Sequence, residues 1–221
     1  MNDRIEIVEN IMGANDQIAL QNRSQLESAS TYAINIMASP GAGKTSVIEK
    51  TVPALKDEFN VAVVDGDIAT SIDADRAAAA GATAIQINTG GECHLDAIML
   101  KQALNKIDLP KMDLLIVENV GNLICPSSFQ LGTHKSVLIA SVPEGDDKPY
   151  KYPTMYRGVD VLIINKIDLL PYIPFRMDYF KRGVEVLNPG LTTFEISCQT
   201  GEGVEEWVDW LKSQVLAHKE N

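Results

Sequence analysis

Seven short apolar runs, separated by stretches with helical spacing, dominate the hydrophobic pattern of the chain. Most of these runs are apolar without alternation, which is typical of strands that are covered on both faces. They occupy residues 31–38, 60–65, 83–87, 113–118, 136–142, 160–165 and 192–197. Because strands and helices alternate almost from end to end, the pattern predicts a three-layer α/β fold with a mainly parallel central sheet of about seven strands.

The segment before the first strand carries a different pattern. Its apolar residues recur at helical spacing, at Ile5, Val8, Ile11 and Met12. We expect residues 1–30 to form a helix that packs on the α/β domain made by residues 31–221, with the stripe as a core or dimer contact. Polar, proline-punctuated residues 143–153 predict one long loop.

Charge and composition narrow the classes of function. The chain has 19 basic and 30 acidic residues, a net charge of -11, which disfavours nucleic acid and anionic membranes as partners. No stretch approaches the roughly 20 apolar residues that cross a bilayer, and the first residues do not resemble a signal peptide. We therefore expect a cytoplasmic protein, whose three cysteines are thiols or metal ligands and not disulfides.

A phosphate-binding motif follows the first strand, at residues 37–46 (MASPGAGKTS). A strand, a glycine-rich turn, Lys-Thr and a helix are typical of a P-loop, whose backbone N–H groups surround an anion. The predicted nucleotide contacts are Gly41, Ala42, Gly43, Lys44, Thr45 and Ser46. Lys44 is expected to reach the β- and γ-phosphates, and the Thr45 hydroxyl to hold Mg²⁺. Ala38 replaces the usual first glycine, and alanine fits there if its φ angle is negative.

A second motif, NKID at residues 165–168, predicts a base-binding loop. The Asp168 carboxylate can accept hydrogen bonds from N1–H and the exocyclic amine of guanine, whereas adenine presents an acceptor at N1. This favours GTP and GDP over ATP. Asn165 is expected to brace neighbouring loops and the Lys166 stem to cover the base. Two residues where the last predicted strand ends, Ser197 and Cys198, are predicted to complete the pocket.

Acidic residues at two further strand ends are the candidates for hydrolysis. ENVG at residues 118–121 predicts that Glu118 contacts Mg²⁺ through water and that the Gly121 amide faces the γ-phosphate. In residues 65–76 (DGDIATSIDADR), Asp67 is the candidate for orienting water or holding Mg²⁺, with Asp75 as a second. Asp73 is assigned to capping a helix N-terminus. No arginine finger is evident, so we expect slow turnover.

Residues 91–97 (GECHLDA) place a cysteine beside a histidine, at what the pattern predicts is a helix N-terminus. Such a position lowers the pKa of a thiol and favours metal binding. With Cys125, Cys93 and His94 could give a sulfur, nitrogen and sulfur ligand set for Zn²⁺, or for Ni²⁺ in a flatter geometry. Water or a second subunit would supply the fourth ligand. Two buried cysteines and a capping histidine remain the alternative.

Four segments together resemble the HypB family of GTPases, which assist nickel insertion into [NiFe]-hydrogenase. They are SPGAGKTS, GECHLDA, ENVGNLICP and EGDDKPYKYPTMYRGVDVLIINKIDLLPY, and the resemblance runs from about residue 22 to the C-terminal helix. It implies a P-loop NTPase fold of the SIMIBI class and a GTP-promoted homodimer with Cys93, His94 and Cys125 as metal ligands at its interface. The implied partners are a HypA-type nickel metallochaperone and, through it, the hydrogenase large-subunit precursor.

The chain departs from some of these relatives, because its first 90 residues contain no cysteine or histidine with which to build an N-terminal metal motif. Three alternatives stay open. A urease-type nickel-maturation GTPase is disfavoured because Ser127 follows Cys125-Pro126 where that family has histidine. A P-loop kinase for a small molecule would not need NKID, and a non-catalytic zinc module would bind metal regardless of nucleotide.

Overall fold

The structure, a computed structural model, describes residues 7–67 and 70–220, with side chains from residue 12 onward. Strands and helices alternate along these ranges. The strands are β1 Tyr32–Ala38, β2 Val61–Asp67, β3 Thr83–Asn88, β4 Leu114–Glu118, β5 Lys135–Ser141, β6 Val161–Asn165 and β7 Thr192–Glu195. The helices are α1 Ile7–Ser28, α2 Lys44–Leu55, α3 Ile72–Ala80, α4 Ala97–Leu104, α5 Lys148–Lys151, α6 Pro153–Arg157, α7 Met177–Leu187 and α8 Val204–Lys219.

The seven strands form one sheet in the order β3-β2-β4-β1-β5-β6-β7. Every neighbouring pair is parallel, which confirms the predicted fold class. All carboxyl ends therefore lie at one edge of the sheet. The chain turns to opposite sides from the central strand β1, and the crevice outside such a switch point is the usual ligand site of open α/β sheets.

Buried side chains fill both faces of the sheet and produce the three layers. On one face, Ile34 and Ile36 of β1 pack with Ile48 of α2 and with Trp207 and Leu211 of α8. The opposite face is covered by α1 and α4 next to β2 and β4, and by α6 and α7 next to β5 and β6. The unbroken apolar character of the strands follows from this double covering.

Helix α1 is fastened to the domain by two buried asparagines. The Asn22 side chain donates to the Ala97 and Leu131 carbonyl oxygens at 2.8 and 3.0 Å, and Asn15 Oδ1 accepts from the Ala97 N–H at 2.9 Å. Of the predicted apolar stripe, only Met12 lies among the described side chains, where it is half-buried. The prediction for Ile5, Val8 and Ile11 falls outside them.

The predicted loop at residues 143–153 is wrong in one respect, because it contains short helices. A 3₁₀ turn at Val142–Glu144 precedes α5, and α6 follows directly. Pro143, Pro149 and Pro153 each lie in the first turn of one of these elements, where a missing N–H costs nothing. The prolines that indicate a loop in the sequence therefore lie at the starts of short helical elements in the structure. Across the described residues, the structure contains no helix with the length and apolarity that a membrane span requires.

A buried hydrogen bond between α8 and α2 gives a test of the packing. Trp207 Nε1 donates to Thr51 Oγ1 at 2.8 Å. Replacing Thr51 by valine leaves the indole N–H without an acceptor, so we expect the free energy of unfolding, measured by urea titration, to fall by about 1–3 kcal/mol. Thr51→Ser, which keeps the hydroxyl, is the matched control, and equal losses in the two variants would contradict the assignment.

Candidate functional site

The predicted phosphate cradle lies between β1 and α2, at the carboxyl edge of the sheet. Gly41 and Gly43 have φ angles of 77° and 106°, which only glycine adopts readily. Ala38 ends β1, is fully buried and does not have a positive φ, so alanine fits in place of glycine. A cavity of 290 Å³ opens here, lined by Gly41, Gly43, Lys44, Thr45, Ser46, Asp73, Arg76, Glu118 and Lys166.

The base-binding loop is clamped to this cradle. Asn165 Nδ2 donates to the Ala42 carbonyl oxygen at 3.0 Å, and Lys166 Nζ donates to that of Gly41 at 2.6 Å. A Cβ on Gly43 would overlap Asn165 Nδ2. Asn165 can therefore brace the P-loop only because residue 43 has no side chain.

A neighbouring cavity of 440 Å³ has the residues expected of a base pocket. Its lining includes Ser46, Glu49, Lys50, Asn165, Lys166, Asp168, Leu169, Cys198 and Gln199. Ser197 Oγ donates to Asp168 Oδ1 at 2.6 Å and so orients the carboxylate. Lys166 has a φ of 63°, a left-handed conformation that turns the chain sharply at the pocket. Burial raises the pKa of Cys198 to about 11, so its thiol is neutral and acts as lining.

Three carboxylates form what we call the acidic triple, Asp65, Asp73 and Glu118, with one oxygen of each within 4.8 Å of the others. Asp65 and Glu118 lie opposite each other in the pairing of β2 with β4. Thr45 Oγ1 donates to Glu118 Oε1 at 2.8 Å. Asp65 Oδ2 and Glu118 Oε2 are buried and have no hydrogen-bond partner in the described part of the chain.

Burial is the main cause of the raised pKa values of Asp65 and Glu118, each about 7, and the nearby Lys44 ammonium opposes it. Unsatisfied buried carboxylate oxygens are costly without a cation. Hard oxygen ligands beside a threonine hydroxyl and a phosphate cradle suit Mg²⁺. The residues present therefore fit the cation that accompanies a nucleoside triphosphate.

Of the acidic residues predicted to take part in hydrolysis, Glu118 belongs to the triple, and Asp67 and Asp75 do not. Asp67 accepts from the Thr70 hydroxyl at 2.9 Å and Asp75 from the Ser71 hydroxyl at 3.1 Å. Asp73 does not cap α3: the N-cap is Ser71, and Asp73 Oδ1 accepts from Arg76 at 3.1 Å. The sequence analysis did not identify Asp65. The available signal was its position at the end of the apolar run at residues 60–65.

The structure brings the three residues of the cysteine-histidine cluster together. One ligand atom each of Cys93, His94 and Cys125 lie within 4.8 Å of one another, and Cys93 Sγ is 3.7 Å from His94 Nδ1. The His94 ring stacks on Phe129 with centroids 3.9 Å apart. All three ligands are partly exposed, which leaves the cluster open on one side.

The predicted helix start at Cys93 is wrong. Helix α4 begins at Ala97, and Asp96 is its N-cap, accepting from the Met99 N–H at 2.7 Å. Because Cys93 lies in the preceding turn, the helix does not lower its pKa; a hydrogen bond with the Cys125 thiol, followed by desolvation, raises it. Both thiols would have to release their protons to bind a metal.

One asparagine joins the cluster to the phosphate cradle. The Asn122 N–H donates to the Ala38 carbonyl oxygen at 2.9 Å, and the Asn122 side-chain amide donates to the Cys93 carbonyl oxygen at 3.3 Å. A Cβ on the adjacent Gly121 would lie 3.1 Å from Pro40 Cα, so this loop passes tightly against the P-loop. Residues 121–125 thus connect the two halves of the site.

Comparison with known proteins agrees with this geometry. The family model described as CobW/HypB/UreG, nucleotide-binding domain, matches residues 32–195. The chain is 43% identical over 208 residues to the hydrogenase maturation factor HypB of Rhizobium leguminosarum bv. viciae, covering 94% of this chain and 70% of the relative. The chain belongs to the HypB family.

Two further relatives extend the HypB comparison. A hydrogenase/urease maturation factor HypB from Helicobacter pylori strain J99 is 41% identical, covering 94% of this chain and 86% of that protein. The crystal structure of HypB from Helicobacter pylori in complex with nickel superposes with a TM-score of 0.88 at 38% identity, over 93% of this chain and 97% of that one. The resemblance and the fold class are both confirmed, and this HypB-family chain contains a nucleotide-binding domain.

The clamp between Asn165 and the cradle can be tested at Gly43. Gly43→Ala should displace the Asn165 side chain and strain a left-handed residue, so we expect nucleotide affinity, measured with a fluorescent nucleotide analogue, to fall roughly tenfold or more. Gly190→Ala is the matched control, because Gly190 has a φ of 72° and open space around it. If both variants bind nucleotide like the parent, Asn165 does not brace the cradle.

Proposed function

We propose that this chain is a GTPase whose nucleotide state controls a nickel site, and that it assists nickel insertion into [NiFe]-hydrogenase. The observation that carries the proposal is Asn122, which bonds the end of the phosphate cradle with its backbone and the cysteine-histidine cluster with its side chain. The names of its relatives support the same role, since they are hydrogenase maturation factors and one is crystallised with nickel.

Guanine selection rests on Asp168. Its carboxylate faces the base cavity and is oriented by Ser197, while Lys166 lies between that cavity and the phosphate cradle. A carboxylate pairs with the N1–H and 2-amino donors of guanine and repels the N1 lone pair of adenine. Asn165, Lys166, Asp168, Ser197 and Cys198 then form the guanine site, and Gly41 to Ser46 the phosphate site.

Hydrolysis of GTP to GDP and phosphate is assigned to the residues around the phosphate cavity. Lys44 neutralises the β- and γ-phosphates, and the Gly121 amide senses the γ-phosphate. Thr45 and the acidic triple would hold Mg²⁺, which supplies charge neutralisation at the transferring phosphoryl group. Asp67 orients the attacking water, with Asp75 as the second candidate. Turnover is slow, because Arg76, which lines this cavity, is held by carboxylates and is not presented as an arginine finger.

Nickel, or zinc, is the metal bound by Cys93, His94 and Cys125. Two thiolates and an imidazole suit these borderline ions, and three ligands leave one position for water or for a second subunit. We propose that GTP promotes a homodimer that brings two such sites together. A cytoplasmic HypA-type metallochaperone and, through it, the hydrogenase large-subunit precursor are the proposed partners.

Urease maturation is a second candidate for the same chemistry. The relative from Helicobacter pylori J99 is a hydrogenase/urease maturation factor, so one HypB can serve two nickel enzymes. The metal and nucleotide sites proposed here are the same for both roles. Complementation of strains that lack either maturation activity distinguishes them.

Replacing Asp168 by asparagine tests guanine recognition. An amide keeps an acceptor for N1–H and offers a donor to the C2 carbonyl of xanthine, so we expect the preference to move from GTP to xanthosine triphosphate. Affinity for GTP should fall at least roughly 100-fold, since each hydrogen bond to a charged group contributes about 1.5–3 kcal/mol. Competition against a fluorescent nucleotide measures both. Glu49→Gln, the same chemical change in the same cavity, should keep the preference for GTP; a similar shift there would disprove the role of Asp168.

Replacing Asn122 by alanine tests the link between nucleotide and metal. We expect the parent to bind Ni²⁺ with different affinities in its complexes with GDP and with a non-hydrolysable GTP analogue. Asn122→Ala should still bind one Ni²⁺ per cluster in both complexes but should lose that difference. Isothermal titration of Ni²⁺ into each nucleotide complex measures this. Ser127→Ala, in the same loop, is the control because the Ser127 hydroxyl bonds locally to the Ile124 carbonyl oxygen at 2.8 Å. A nucleotide effect that survives in Asn122→Ala would overturn the proposed path.

A further inference from the structure

Arg76, in the second turn of α3, binds two carboxylates at once. Its Nε and Nη2 donate to the two oxygens of Glu49 at 2.9 and 2.6 Å, and its Nη1 donates to Asp73 Oδ1 at 3.1 Å. All three guanidinium nitrogens are therefore engaged. The planar fork makes this arrangement specific to arginine, since a lysine ammonium is a point charge that cannot pair side-on with a carboxylate.

The two carboxylates that Arg76 joins belong to different parts of the site. Glu49 lies on α2, the helix that begins at Lys44 in the P-loop, and it lines the base cavity. Asp73 lies at the start of α3 and belongs to the acidic triple. Arg76 thus connects the helix that continues the phosphate cradle to the one member of the triple that is not on the sheet.

Asp73 needs such support. Asp65 and Glu118 are fixed by strand pairing, whereas Asp73 is on a helix with no side-chain cap at its N-terminus. Its charge is repelled by the other two carboxylates, and the pKa of each of those groups is raised in part by Asp73. The Arg76 guanidinium, which pairs with Asp73 at the wall of the phosphate cavity, offsets that repulsion and holds the carboxylate in place.

We propose that Arg76 is a positioning residue of the GTPase centre: anchored on Glu49, it fixes Asp73 within the acidic triple so that the triple accepts a divalent cation with bound nucleotide. The inference rests on the proposed function, and it assigns to Arg76 no contact with phosphate. Residues that orient metal ligands typically change metal affinity about 10–100-fold when they are removed.

The test is divalent-cation affinity in the nucleotide complex. Arg76→Gln should weaken Mn²⁺ binding to the GDP complex, measured by electron paramagnetic resonance, about 10-fold or more, and raise the Mg²⁺ concentration that half-saturates GTP hydrolysis by a similar factor. GDP affinity in the presence of EDTA should stay within about twofold of the parent. Arg76→Lys should restore only part of the Mn²⁺ affinity.

Two further variants separate positioning from general stability. Arg176→Gln removes a similar side-on pair, with Asp146 at 2.7 and 3.2 Å outside the cleft, and should leave Mn²⁺ affinity unchanged. Glu49→Gln should weaken Mn²⁺ binding as well, and the double variant Glu49→Gln/Arg76→Gln should be no weaker than Arg76→Gln alone, because the two residues act as one clamp.

Three outcomes would overturn the inference. The first is an unchanged Mn²⁺ affinity in Arg76→Gln. The second is a fall in the rate of hydrolysis with an unchanged Mg²⁺ requirement, which would make Arg76 a phosphate contact. The third is fully additive losses of Mn²⁺ affinity in the double variant. The Mn²⁺ measurement uses GDP and needs no hydrolysis. If the parent protein binds Mn²⁺ and GDP but does not hydrolyse GTP, the GTPase assignment is refuted. The proposed role of Arg76 in binding the cation would still stand.

Discussion

Two buried carboxylates, Asp65 and Glu118, lie side by side near the carboxyl ends of β2 and β4, and the other residues of the site surround them. Asp65 and Glu118 are register partners in a parallel sheet, so neither can move away from the other. Thr45 and Lys44 approach them from the P-loop, and Asp73 from α3. Burying like charges without a counter-ion is unfavourable, so this arrangement of carboxylates favours a bound cation.

The sequence predicts most of the fold because each strand is buried on both faces. Such runs stand out from their surroundings, and all seven predicted strands occur near their predicted bounds. The misassigned segments are those in which a local signal has two structural meanings. Proline marks loops and helix starts alike, and Cys93 stands four residues before the true beginning of α4, where Asp96 provides the better cap.

The candidate site was predictable where a motif is contiguous and not where it is assembled from distant residues. The P-loop and the NKID loop can be recognised from a few adjacent residues. The acidic triple comes from two strands and a helix, so Asp65 was hidden in an apolar run and Asp73 was assigned to a cap. The bridging role of Asn122 depends on which backbone atoms meet it across the sheet, and no spacing rule encodes that.

The loop that carries Cys125 is pinned at its base by Asn119, which is fully buried. Its N–H donates to the Ile36 carbonyl oxygen at 2.9 Å, and its side chain accepts from the Leu95 N–H at 3.0 Å and donates to Asn35 at 3.2 Å. Beyond Asn119, only the short segment from Val120 to Cys125 remains, and its Asn122 is bonded in turn to the Ala38 and Cys93 carbonyl oxygens. So short a segment cannot carry Cys125 far from Cys93. Cys93 and Cys125 are therefore kept near each other, and a small shift of this segment would matter to any metal they bind, because metal–ligand distances tolerate changes of only about 0.2 Å.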